Sequence, residues 1–257
     1  MKHFSTCLKE KNATVNGNVY SVIAPYYDHI LKHVDYNGWY KYIRTIMMTY
    51  LSNPENILEI GCGTGKFCIK FSNDDFNIFG MDLSLMMLEE CKARSNNNFS
   101  VFCADVRNFR LSKKFDFIFS VHDTLNYLQT QDDLKSALMN VKDNLNNDGI
   151  FLFDLTTEYN ILKNFESQTE TFNIGKTIIE WKNSYNKSEN IIKSFLKVIS
   201  HDGTIQDEVH TQKIYTQNEV IELILECGYK IENIYGDFTF EKCNTRTVMM
   251  NFIVRKV

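Results

Sequence analysis

Three glycines, Gly61, Gly63 and Gly65, fall within five residues of the segment Ile57-Leu58-Glu59-Ile60-Gly61-Cys62-Gly63-Thr64-Gly65, in a chain that has 11 glycines in all. An apolar run, Asn56–Ile60, leads into the cluster, and a helix-like segment, Lys66–Phe71, leaves it. Glycine lets a backbone approach a ligand with no Cβ in the way. The N-terminus of the helix behind it favours polar or anionic ligand groups. Asp82 closes the next apolar run, Asn77–Met81, where a carboxylate can accept two hydrogen bonds from ribose hydroxyls. Loop and carboxylate together describe a nucleoside site at the ends of two neighbouring strands.

The elements that must position such a site alternate. After a helix-patterned stretch, Tyr36–Leu51, come strand-like and helix-like segments in turn: Asn56–Ile60, Lys66–Phe71, Asn77–Met81, Leu85–Arg94 behind Ser84, Phe99–Ala104, Phe115–Val121, Asp132–Leu145 and Ile150–Leu155. This cadence predicts a parallel sheet with helices on both faces. After Thr157 the pattern changes. Lys176–Tyr185, Ile191–Ser200 and Thr204–Tyr215 read as strands joined by the turns Asn186-Lys187-Ser188 and His201-Asp202-Gly203, an antiparallel meander. Thr216 and Glu219 form a capping box for a helix that Gly228 ends, and Lys230–Gly236 and Thr247–Val254 complete the sheet.

The 257 residues allow one large domain, and the formal charge of −4 implies no broad basic face for nucleic acid. Only two prolines occur, and asparagine often stands where turns would carry glycine. The seven cysteines include no C-x-x-C and no zinc spacing, so no metal site is expected; they read as reduced thiols of a cytoplasmic protein. The polar stretch 1–18 lacks the apolar core of a signal peptide, and no run approaches a membrane span.

The glycine spacing is G-x-G-x-G with Glu59 before it, not the G-x-G-x-x-G of dinucleotide sites. It resembles the first motif of the class I S-adenosylmethionine-dependent methyltransferases. Asp82-Leu83-Ser84 resembles their ribose-binding second motif, and Asp105-Val106 the third, near the adenine amino group. Phe115–Ser120 resembles the fourth strand, and Asp148-Gly149 the entry to the fifth, with Asp148 where a glycine is usual. The resemblance spans essentially the whole chain. It implies an α/β fold: a doubly wound, seven-stranded, mostly parallel sheet with an inserted antiparallel β meander and an N-terminal helical lid. On this reading residues 1–52 form the lid, 53–157 the cofactor-binding core, 158–215 the meander that caps the substrate, and 216–257 the rest of the core sheet.

Tyr20, Tyr26-Tyr27-Asp28 and Asp35-Tyr36-x-x-Trp39 resemble the lid of the small-molecule methyltransferases, a group that includes the amino-sugar N-methyltransferases, as does Asp105–Phe115. The resemblance implies S-adenosylmethionine as cofactor and S-adenosylhomocysteine as product. Its contacts are expected from Tyr20, Trp39, Glu59, Gly61, Cys62, Gly63, Thr64, Gly65, Asp82, Leu83, Met87, Asp105, Val106 and Ser120. Tyr20, with His210, Tyr215 and Arg246, is expected near the methyl group.

Methyl transfer from a sulfonium is an in-line displacement, so the protein must align the acceptor and exclude water. His122, just past the fourth strand, is placed to act as base, and Asp154, on the fifth, to orient a cationic amine. The expected acceptor is a nitrogen or oxygen of a small molecule, with no nucleic acid or membrane involved and a monomer or homodimer as the working form. Two other readings compete. An RNA or protein methyltransferase lacks support from any basic extension, and Ser120-Val121-His122-Asp123 stands where base- and amide-methylating enzymes carry N-P-P-Y. The other is a non-catalytic cofactor-binding or scaffold protein that has kept the fold, and the intact Gly61, Gly63, Gly65 and Asp82 weigh against it.

Overall fold

Apolar side chains recur along this chain with the periods of helix and strand in turn, and the computed structural model, which describes residues 19–94 and 98–257, resolves them into one ordered series. The first 18 residues of the expected lid lie outside the described residues. A 3-10 turn (Ala24–Tyr26) leads into the short helix α1 (Tyr27–Ile30) and then α2 (Tyr36–Tyr50). Asp35 caps α2 by accepting the Gly38 N–H, and the helix buries Tyr42, Ile43, Ile46 and Met47 along one stripe. The core follows as β1 (Asn56–Ile60), α3 (Lys66–Asn73), β2 (Asn77–Asp82), α4 (Leu85–Arg94), β3 (Ser100–Cys103) and β4 (Phe115–Ser120). A 3-10 turn (Thr124–Tyr127) then precedes α5 (Gln131–Asn144) and β5 (Leu145–Thr156).

A helical turn, α6 (Glu158–Asn160), runs into a π-helical turn at Ile161–Phe165 and on to β6 (Thr169–Ile174), β7 (Thr177–Asn186), β8 (Ile191–Ile199) and β9 (Ile205–Lys213). Helix α7 (Gln217–Glu226) and strands β10 (Tyr229–Gly236) and β11 (Met249–Lys256) end the chain. The capping box at Thr216 and Glu219 is formed as expected, a device that contributes about 1 kcal/mol to a helix start.

The main sheet has seven strands in the order β3-β2-β1-β4-β5-β11-β10, with β11 antiparallel to β5 and β10. The doubly wound, mostly parallel sheet is therefore present. Its order reverses at β1, which pairs with β2 on one side and β4 on the other. In such sheets the crevice beyond the carboxyl ends of the strands at that point is where ligands bind. Phenylalanines lock the centre: Phe153 stacks on Phe252 at 5.0 Å across β5 and β11. Phe117, Phe119 and Phe151 have no exposed surface, and burying each stabilises the fold by roughly 1.5–3 kcal/mol.

The meander is a separate four-stranded antiparallel sheet, β6-β7-β8-β9. Its first strand, β6, carries Thr, Glu and Asn among its six residues and showed no apolar alternation, so only three strands were expected. Strand β5 also begins earlier than Ile150, because the Asn147-Asp148-Gly149 bend sits inside it at a register shift opposite Phe115–Phe117. Asp148 adopts φ +59°, the left-handed backbone that the usual glycine would supply.

Candidate active site

Beyond β1 the chain turns through Gly61 at φ +72°, and the Gly61 and Cys62 N–H groups both donate to the Met81 carbonyl, at 2.7 and 3.0 Å. The loop is thereby tied to the end of β2. There the Asp82 carboxylate accepts the Gly63 N–H with Oδ2 and the Ser84 N–H with Oδ1, each at 2.8 Å. Burial raises the Asp82 carboxyl above its usual range, against the pull of these backbone bonds. Gly63, at φ +50°, would place a Cβ in open space with nothing within 4 Å, at the wall of a cavity of about 950 Å³. A Cβ on Gly63 would fill part of the cradle; on Gly61 it would stand 2.4 Å from Thr124 Cγ2, and on Gly65 2.4 Å from Cys91 Sγ. Bare backbone and a carboxylate face this cavity together, as a nucleoside with a ribose requires.

Deeper in the cavity Glu59 is buried, accepting a hydrogen bond from Cys68 Sγ at 2.9 Å, and burial pushes its carboxyl up to about 8. Leu83, Met87, Asp105, Val106 and Arg107 also line the cavity. Asp105 binds the Arg107 guanidinium through both oxygens, and Arg107 reaches on to Asp133 at 2.8 Å. Burial opposes the ionised Asp105, but the Arg107 bonds hold its carboxyl below the usual range.

Much of the lining is aromatic. Tyr20, Tyr27, Tyr36, Tyr127 and His122 all line the cavity. Tyr20 meets Tyr27 edge-on at 5.4 Å, and its hydroxyl lies 2.7 Å from that of Tyr127. The His122 Nδ1 is 3.4 Å from the Tyr27 hydroxyl. His122 and Asp123 sit consecutively at φ +68° and +51°, a bend held by Asp154, whose oxygens accept the two backbone N–H groups at 2.7 and 2.8 Å. Burial lowers the His122 pKa and so favours the neutral ring. Behind Tyr20, Glu208 of β9 accepts the N–H groups of Tyr20 and Val22, at 2.5 and 2.7 Å. Lower down, Asp28 pairs with Lys66 and Arg94 and accepts from the Thr64 hydroxyl, tying the N-terminal segment to the glycine loop.

The cavity thus gathers Tyr20, Glu59, Gly61, Cys62, Gly63, Thr64, Asp82, Leu83, Met87, Asp105, Val106 and His122 from the expected set. Other members of that set stand elsewhere. Gly65 caps α3 against Cys91, and Trp39 stacks on Phe238 at 3.9 Å and stands nearly perpendicular to the His122 ring at 5.3 Å. Ser120 is buried, its hydroxyl without a partner among the described residues. Asp154 is fully buried and holds the His122 bend instead of facing an acceptor. Arg246 is exposed in the segment between β10 and β11 and contributes nothing to the cavity lining. Tyr215 spends its hydroxyl on the Leu128 and Thr130 carbonyls. His210 stands one layer behind the wall, bonded to Tyr127.

Tyr127 and Glu208 were not anticipated. The signal for Glu208 was present: it lies two residues before His210, and strand alternation puts both side chains on one face. Tyr127 had none, because a short 3-10 turn has no period to read.

A family model described as a methyltransferase domain matches residues 57–149, from β1 into β5. An uncharacterized protein of Methanocaldococcus jannaschii, MJ1252, is 30% identical over 224 residues, covering 83% of this chain and 78% of its own. The malonyl-[acyl-carrier protein] O-methyltransferase of Bacillus anthracis is 25% identical over 84% of this chain and 81% of its own. The crystal structure of an S-adenosylmethionine-dependent methyltransferase from Clostridium acetobutylicum has this fold, with TM-score 0.80 and 22% identity over 92% of this chain and 98% of that one. With its glycine cradle, its ribose-type carboxylate and its strand order, the chain belongs to the class I S-adenosylmethionine-dependent methyltransferases.

Proposed function

We propose that the enzyme methylates a nitrogen or oxygen of a small-molecule acceptor, which enters between the aromatic wall and the glycine loop. The observation that carries this reading is that Tyr20, Tyr27, Tyr127 and His122 share one cavity with Gly63 and Asp82. Bound there, S-adenosylmethionine supplies a methyl group on a sulfonium sulfur. Gly61, Gly63 and Asp82 hold the nucleoside end, while Asp105 and Val106 line the side towards the base. The tyrosine rings exclude water and present electron-rich faces to cationic groups. Tyr20 and His122 face the acceptor, and holding it in line with the methyl group can lower the barrier by ~7–11 kcal/mol.

The four-stranded sheet within residues 158–215 serves as the substrate cap. Support for oxygen as acceptor comes from the Bacillus anthracis relative, which acts on a malonyl group; support for an amine comes from the amino-sugar resemblance of Tyr20 and Asp105–Phe115. The formal charge of −4 weighs against RNA, and the buried thiols of Cys62, Cys68, Cys91 and Cys227 suit the cytoplasm.

The test is a methyl-transfer screen with amines, amino sugars, hydroxylated aromatics, malonyl thioesters and bulk RNA, run beside thermal shifts with S-adenosylmethionine and S-adenosylhomocysteine. Either ligand at 100 times its dissociation constant adds about 2.7 kcal/mol of stability. Labelling of RNA with no small-molecule turnover would overturn the acceptor class.

A further inference from the structure

An unbroken line of short hydrogen bonds runs from the cavity wall into the cap sheet. The Tyr20 hydroxyl lies 2.7 Å from the Tyr127 hydroxyl, which lies 2.6 Å from His210 Nδ1, and His210 Nε2 lies 2.5 Å from Glu208 Oε1. His210 and Glu208 are 3% and 6% exposed, so solvent does not interrupt the line, while Tyr20 and Tyr127 both border the cavity.

The donor in each bond follows from the Glu208 end. Its oxygens already accept backbone N–H groups from Tyr20, Val22 and Ile23, and a carboxylate has nothing to donate. His210 Nε2 must therefore carry a hydrogen and donate it. In the neutral ring Nδ1 is then an acceptor, so the Tyr127 hydroxyl donates to it. The Tyr127 oxygen accepts in turn from the Tyr20 hydroxyl. The remaining lone pairs of the Tyr20 oxygen are left for a donor in the cavity.

We propose that Glu208, His210 and Tyr127 form a relay that carries the acceptor's proton away from Tyr20, with His210 as the place where the proton comes to rest. The proposal rests on the cavity being the methyl-transfer site, and it gives the acceptor one required property: an N–H or O–H proton to lose. As the acceptor atom gains its methyl group, its bond to that hydrogen breaks and the electron pair stays on the nitrogen or oxygen. The proton passes to the Tyr20 oxygen, the former Tyr20 proton to Tyr127, and the former Tyr127 proton to His210 Nδ1. Both tyrosines end neutral, and the imidazolium stands against the Glu208 carboxylate. The transfers from Tyr20 to Tyr127 and from Tyr127 to His210 run along bonds already formed. His122 has no such line behind it, since Asp154 holds its backbone and not its ring.

Tyr20 makes direct contact with the acceptor; Tyr127, His210 and Glu208 act through it as positioning residues. The charged and titratable groups around His210 are Tyr20 of the N-terminal segment, Tyr127 of the 3-10 turn, Glu208 on its own strand and Asp123 at the bend after β4. Its cross-strand neighbour on β8, Ser194, is uncharged and donates to Asn183.

Two measurements on the full chain test the relay independently of each other. The first is nitrogen NMR of the 15N-histidine-labelled protein saturated with S-adenosylhomocysteine. The neutral His210 ring is expected to carry its hydrogen on Nε2; an Nδ1–H tautomer would overturn the proposal whether or not an acceptor is known. The second uses the acceptor that turns over in the screen above. The amide oxygen of His210→Asn can still accept from Tyr127 but takes up no proton, and Tyr127→Phe breaks the line. Both are expected to lower kcat about 100-fold, to leave S-adenosylhomocysteine affinity within threefold, and to remove the acid limb of the kcat–pH profile. A His210→Asn enzyme with wild-type kcat and an unchanged profile would overturn the relay and leave methyl transfer itself standing.

Discussion

Asp154 holds His122 by the backbone: its Oδ2 accepts the His122 N–H at 2.7 Å, and its other oxygen takes the N–H of Asp123 at 2.8 Å. Two residues in the left-handed region cost strain, and a buried carboxyl on β5 anchors the bend they make at the end of β4. Burial raises the Asp154 carboxyl well above the usual range, with nearby Asp123 adding to the effect.

Replacing Asp154 by Ala strands two buried N–H groups, each worth about 1–3 kcal/mol. We expect urea unfolding to show a loss of about 2–5 kcal/mol, with kcat reduced because His122 no longer has a fixed position. Affinity for S-adenosylhomocysteine should change little. Unaltered stability would mean the bend holds itself.

The two exposed-backbone glycines should fail in different ways. Gly63→Ala adds a methyl group where no protein atom lies within 4 Å, so its stability cost is only the left-handed strain of about 1–2 kcal/mol. Its expected effect is on ligand: at least tenfold weaker S-adenosylhomocysteine binding by calorimetry. Gly61→Ala drives a methyl group into Thr124 and should lower stability more. Pairing it with Thr124→Ala should recover part of that loss; no recovery would place the damage elsewhere.

Asp82 offers the cavity the lone pairs that Gly63 and Ser84 leave free. Hydrogen bonds to a charged acceptor contribute about 1.5–3 kcal/mol each. Asp82→Ala should therefore weaken S-adenosylhomocysteine binding by roughly one to two powers of ten. Equal affinity in variant and wild type would move the ribose partner to another residue.

Glu59 makes stability depend on pH. Burial pushes its carboxyl up to about 8 from an ordinary value of 4.5, although the Cys68 bond pulls the other way. Between those values the folded protein keeps a proton that the unfolded chain has released, so stability is full at the acid end and falls as pH rises to about 8. The slope is at most about 1.4 kcal/mol per pH unit. Glu59→Gln should remove it, so the wild-type-minus-variant stability difference is the quantity to follow. His122, lowered by burial, slopes the opposite way near its own pKa and cancels in that difference. A flat difference from pH 5 to 8 would show Glu59 titrating as an ordinary carboxyl.

The cofactor side was legible in the sequence because it is made of consecutive residues. Gly61 to Gly65 follow one strand and Asp82 closes the next, and their spacing carries the geometry. The aromatic wall was legible only in part. Tyr20, His122 and His210 could be named, but Tyr127 and Glu208 come to His210 from a 3-10 turn and from its own strand, and neither stood out. Asp154 was read as facing the site because it lies on a core strand near its end. Strand alternation instead turns it towards the bend after β4, a distinction that depends on pleat and register. Arg246 lies in a segment with no periodic pattern, so nothing local could say that it points to solvent.

The bond between Tyr20 N and Glu208 joins residues 188 apart. During synthesis the nascent chain has the glycine loop, Asp82 and β4 long before it has the carboxylate that pins Tyr20. Glu208 lies 88 residues beyond the end of β4 at Ser120, so at ribosomal speeds of ~5–20 residues per second that interval lasts roughly four to eighteen seconds. A chain arrested before β9 would therefore carry most of the nucleoside site with no Glu208 to pin its aromatic wall. Cofactor recognition and acceptor recognition mature in that order, and truncations of the cap should separate them.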